Sequence, residues 1–187
     1  MDAGNSIPLV AAPELREMEL SDPFAEIHWY AAYTFANHEK KVAAELQRRS
    51  VECFLPLYPS IRRWKDRRVK LDLPLFPGYI FVRFALQNRL RVLQTPGVVR
   101  FVGFDTCAAP VPEIDITRVR EILAQGFRAE PHPYLAAGRH VRVKVGPLQG
   151  LEGIIVRRKN KVRFVVSIEL IQRSMAVEVE DGCLEQL

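Results

Sequence analysis

Four histidines, three cysteines and a dense run of arginines are the chemically suggestive side chains of this 187-residue chain. His28, His38, His132 and His140 show none of the short spacings at which imidazoles share a metal. Cys53, Cys107 and Cys183 are odd in number, far apart and outside any CxxC pattern. They fit buried or idle thiols in a reducing compartment better than a disulfide framework or a zinc site. There is no nucleophile motif and no phosphate-cradling glycine loop. The expectation is a protein that is not an enzyme and uses no cofactor and no metal.

What remains is binding chemistry. From Arg62 to Lys70, six of nine residues are basic, among them Arg62, Arg63, Arg67 and Arg68. Cations packed so closely repel one another unless something anionic offsets them, which permits contact with nucleic acid without proving it. Lys40, Lys41 and Arg48 offer a second basic surface, open equally to nucleic acid and to plain solvation. Tyr79 and Phe81 stand two apart and so face one side of a strand. With Tyr33 on another strand, aromatic residues at this spacing read by default as core. Phe76 and Ile80 read as core.

The elements that position these groups can be placed from pattern. His28–Tyr33 is an aromatic run suited to a buried strand. Asn37 is placed to cap a helix through Ser50, with Glu39 in its first turn and Arg48 and Arg49 in its last. Val42, Ala43 and Leu46 make its apolar stripe. Strands follow at Val51–Tyr58, Leu75–Phe84 and Val98–Gly103, with a short helix over Gln87–Gln94 and the basic run as an exposed loop or hairpin tip. Ile116, Val119, Ile122 and Leu123 space as one helix face that Gly126 can end. The fold class is α+β, with helices packed on a mostly antiparallel sheet.

Arg128–Ala137, with Pro131 and Pro133, has linker composition, and beyond it every segment is β-rich. Fifty residues of short strands suit a small closed barrel. Gly146, Gly150 and Gly153 fall where a tight turn needs permissive backbone. The organisation is therefore a mobile extension over residues 1–27, with a possible short turn through Glu14–Met18. An α+β domain over 28–127, a linker over 128–137 and a β domain over 138–187 follow.

Charge is unevenly spread along this plan. Residues 1–27 carry Arg16 against six acidic residues, 28–137 carry 17 basic and 10 acidic, and 138–187 carry 9 and 6. An acidic tail thus precedes two basic modules, and the net charge is +5. No apolar run approaches the roughly 18–20 residues of a membrane span, and the N-terminus lacks the basic opening of a secretory signal. A cytoplasmic monomer without membrane contact is expected.

Four phrases carry a family resemblance. Trp29-Tyr30, Pro74-Leu-Phe-Pro-Gly-Tyr-Ile-Phe-Val82 and Thr95-Pro-Gly-Val-Val-Arg-Phe-Val-Gly103 together resemble the N-terminal (NGN) domain of NusG-type transcription factors. Gly138–Gly153 resembles the KOW motif of the SH3-like barrel that follows it in that family. The resemblance implies that Tyr33, Tyr79 and Phe81 line a cavity for the paired clamp helices of RNA polymerase's largest subunit. It implies that Lys40, Lys41, Arg48 and the Arg62–Lys70 run meet non-template DNA or the upstream duplex. Asn88, Arg89 and Arg91 match a region that in some relatives touches a loop across the polymerase cleft. Ile168, Leu170, Ile171 and Arg173 correspond to a loop that contacts Rho or a small-subunit ribosomal protein. Ile171 stands where the general factor typically has an aromatic residue, which points to a specialised paralogue acting as an operon-specific antiterminator. The alternatives are a general factor serving both elongation and Rho-dependent termination, or a ribosome-associated KOW protein that binds RNA.

Overall fold

The computed structural model describes residues 24–64, 67–104, 107–158, 161–179 and 181–187. Most of the acidic extension, with its suggested turn at Glu14–Met18, and the hairpin tip at Lys65-Asp66 lie outside the described residues. The first half contains β1 (Ile27–Thr34), α1 (Glu39–Arg48), β2 (Glu52–Phe54), β3 (Leu57–Trp64), β4 (Arg67–Pro74), β5 (Tyr79–Ala85) and α2 (Arg89–Leu93). β6 (Val98–Phe101), the short β7 (Gly103–Phe104), β8 (Cys107–Ala108) and β9 (Pro110–Val111), and α3 (Glu113–Ala124) complete it. The second half contains β10 (Ala129–Pro133), β11 (Arg139–Val143), β12 (Glu152–Arg158), β13 (Lys161–Ile168), β14 (Arg173–Val179) and β15 (Leu184–Gln186).

An antiparallel sheet ordered β2-β5-β1-β6, with β9 also on β1, forms the first unit. Alternation along β1 and β5 sends side chains to two apolar layers. Tyr30, Ala32, Ile80 and Val82 pack with Val42 and Leu46 of α1 and Val92 of α2. Trp29, Ala31 and Phe81 pack with Ile116, Val119 and Ile122 of α3. Both faces are covered, which is why β1 is buried almost continuously from Trp29 to Ala32. Gly126 ends α3 as its spacing suggests, with φ +74°. Asn37 does not cap α1: it sits in the left-handed region at φ +62°, the capping position falls to His38, and the helix starts at Glu39. Buried Glu39 instead accepts a 2.8 Å hydrogen bond from the Gly78 N–H, tying the helix start to the turn before β5.

The second unit departs from the expected closed barrel. Its described strands form an open six-stranded sheet, β10-β14-β13-β12-β11-β15, with no pairing between the end strands. Pro131 and Pro133 leave β10 without two of the N–H donors that a further partner would need. The same strand lies inside the stretch whose composition suggests a linker. Ala129↔Val177 through Pro133↔Arg173 pair with β14, because an edge strand tolerates proline where a central strand does not.

The α3-side layer does not stop at the first sheet. It runs on through Val141, Phe164, Ile168, Ile171 and Met175, so the second sheet is packed into the same apolar cluster.

Candidate functional site

Tyr33 and Tyr79 are directly opposite in the β1–β5 register. Their rings meet edge to face at 5.5 Å. The approach depends on Gly78, at φ +84°, where an added Cβ would come within 3.2 Å of the Tyr33 ring. Tyr33 is 39% exposed, and the Arg100 guanidinium lies 5.9 Å from its ring centroid. Tyr79 is half-buried and has Arg173 of β14 at 6.0 Å from its ring. Each tyrosine thus carries a cation at cation–π range.

Phe81 does not share that openness. It is fully buried, 6.2 Å from Phe54 and 5.9 Å from Phe76 between ring centroids. The sheet face it occupies is covered rather than open, so only Tyr33 and Tyr79 of the aromatic trio reach the rim. Phe76 and Ile80 are core, in line with the sequence reading.

The basic run lies on a regular two-stranded hairpin, β3 with β4, rather than on its tip alone. Arg63 and Arg68 are register partners, and Arg62 and Arg67 are exposed with them. Like charges directly opposite oppose pairing. No acidic partner offsets these four arginines among the described residues. On α1, Lys40 and Lys41 are exposed, whereas Arg48 is 3.4 Å from Glu45 and partly committed to it.

In the second unit Gly146 and Gly150 have φ of +101° and +87°, as a tight turn requires. Gly153 differs: it lies within β12, where an added Cβ would come 2.7 Å from the Phe164 ring and from the Val165 carbonyl oxygen. Close approach, not turn geometry, demands that glycine. Of the proposed partner loop, Ile168 and Ile171 are buried, Leu170 is half-buried, and only Arg173 is exposed.

Two features escaped the sequence reading. Glu39 counts in sequence only as a helix-dipole partner, though the turn it fixes sets Tyr79 in place. Arg120 lies 4.7 Å from the Trp29 ring and 4.9 Å from the Phe54 ring and also faces Glu52 at 3.7 Å, joining α3 to the sheet. A lone arginine on a helix gives no such signal. The thiols are free: Cys107 is exposed, and burial pushes the half-buried Cys53 thiol up, away from reactivity. Among the described residues no cluster of His, Cys, Asp and Glu could hold a metal, and no helix is long and apolar enough to cross a membrane.

Residues 27–120, half of the chain, match the family model described as "Transcription termination factor nusG". The chain belongs to the NusG family. Among curated NusG relatives, the "Transcription termination/antitermination protein NusG" of Staphylococcus aureus is 28% identical over 182 residues, covering 90% of this chain and all of the relative. The Staphylococcus carnosus protein of the same name matches to the same extent. Among solved structures, one described as "Domain interaction in Thermotoga maritima NusG" covers 88% of this chain and 99% of its own, with a TM-score of 0.55 at 19% identity. That likeness concerns the fold: a mixed architecture of helices and antiparallel sheets shared with NusG.

Proposed function

We propose that this NusG-family chain binds the transcribing RNA polymerase through the Tyr33–Tyr79 surface and suppresses pausing or termination. The observation that carries the reading is that tyrosine pair, two adjacent rings at one end of the sheet, with Arg100 beside Tyr33. Aromatic and arginine side chains dominate interface energetics because they combine large apolar area with polar handles. By family resemblance, the occupant is the pair of clamp helices. The β3–β4 hairpin then supplies cations for the upstream duplex or the displaced non-template strand.

With Arg173 over Tyr79, the second sheet stands against the proposed docking face. Polymerase engagement exchanges that cover for the clamp helices. We read the second unit as the KOW module, with a small-subunit ribosomal protein or Rho as its partner. Its Ile168 and Ile171 are buried in the apolar cluster that the two units share. Held to polymerase, the released module meets its partner at an effective concentration of about a millimolar. Ile171, in place of an aromatic residue, favours an operon-specific antiterminator over the general factor.

The test is a double variant, Tyr33→Ala with Tyr79→Ala, assayed by polymerase retention, by pause lifetime on a transcribing template and by thermal melting. Retention should fall by about tenfold or more and pauses should lengthen. A well-folded variant with undiminished retention refutes the assignment.

A further inference from the structure

Beside α2 and β6 lies an open groove of about 880 Å³ that meets the tyrosine surface at Arg100. Leu86, Leu93, Val99 and Phe101 give it an apolar lining, Arg89 and Arg100 lie among them, and no carboxylate lines it among the described residues. Neither arginine has an acidic partner among the described residues; Arg100 only reaches a carbonyl at 3.4 Å and the Tyr33 ring. The groove is therefore both sticky and cationic, and it calls for an occupant that is apolar and acidic together.

Phe24, the first described residue, is itself part of the lining, and its carbonyl accepts a 3.1 Å hydrogen bond from the Gln87 N–H. The 23 residues before it contain Leu15, Met18 and Leu20 interleaved with Glu14, Glu17, Glu19 and Asp22. Met18 is six residues from Phe24, a reach of up to about 20 Å for an extended chain. We propose that the acidic N-terminal segment, centred on Leu15–Leu20, docks in this groove of its own chain. Leucine and methionine meet the apolar lining, and the glutamates answer Arg89 and Arg100. Tethering raises the segment's local concentration far above that of any free competitor.

Cys107, exposed and lining the groove, permits a direct test in the full-length chain. Met18→Cys places a second thiol in the segment, and mild oxidation followed by peptide mapping reports which cysteine it joins. The expected product is the intramolecular 18–107 disulfide, formed roughly tenfold or more faster than in a chain that also carries Leu15→Ser and Leu20→Ser. That control keeps the tether length and the folded body unchanged. Arg89→Glu with Arg100→Glu, or high salt, should slow the linkage as well. Equal rates with and without the apolar residues would show a mere tether and overturn the proposal. Disulfide-linked dimers as the main product would overturn it too, by assigning the groove to a second copy.

Discussion

Tyr79 and Phe81 lie two apart on one face of β5, yet truncating them should have different consequences. Phe81 is sealed against Phe54 and Phe76. Phe81→Ala should therefore cost about 3–5 kcal/mol of stability, measurable by chemical denaturation. Tyr79→Ala, at a half-buried rim position, should cost much less stability while lowering polymerase retention about tenfold. Equal denaturation losses for the two would place Tyr79 in the core. The glycines of the second unit divide in the same manner. Gly153→Ala drives a methyl into the Phe164 ring and should lose about 1–3 kcal/mol through overpacking. Gly146 has open space around its missing Cβ, so alanine there meets only the left-handed backbone penalty of about 1–2 kcal/mol. Spacing alone groups Gly153 with the turn glycines, because sequence carries no record of which ring crosses above it.

At the scale of elements, the β3–β4 hairpin places Arg63 opposite Arg68 without a compensating acid among the described residues. Replacing Arg62, Arg63, Arg67 and Arg68 with Ser should weaken binding to nucleic-acid scaffolds. The log–log salt slope should flatten by roughly one unit for each phosphate that is no longer neutralised. An unchanged slope would leave the hairpin as solvated surface. Helix α3 offers a pH test, because Asp115 on its first turn has its carboxyl pushed above the usual range. Burial is the main cause; Arg118 opposes the shift, and Glu169 across the unit boundary adds to it. A folded-state value above the unfolded one stabilises the fold at low pH, and that contribution is lost as pH rises through the folded value. Asp115→Asn should therefore gain stability relative to the parent at neutral pH. The gap should close as pH falls into the carboxylate range, in melts recorded against pH. A gap that widens on acidification would show that the Arg118 ion pair outweighs burial.

For the whole molecule, the decisive contact is between units: Arg173 of β14 over Tyr79 of β5. An exposed cation–π pair of this kind contributes about 0.5–1 kcal/mol. If it holds the second sheet over the docking face, Arg173→Ala should strengthen polymerase retention about two- to fivefold, the same free energy read as affinity. Weaker retention would instead make Arg173 part of the polymerase contact. Much of the architecture was legible in the sequence. The aromatic β1, the α1 and α3 stripes and the stop at Gly126 follow from local periodicity and turn chemistry, which operate over a few residues and so are written in order along the chain. The four family phrases likewise lie in contiguous sequence. The basic run reads as a loop or hairpin tip, and its pairing as β3 with β4 did not show. What only the tertiary structure decided is non-local. Whether the face carrying Phe81 is open or covered depends on α3 and on residues 168–175, some ninety positions downstream. Whether residues 128–137 act as linker or strand depends on β14 offering its edge to Ala129–Pro133. Burial and pairing of this kind are properties of two distant segments together, and neither segment's sequence alone states them.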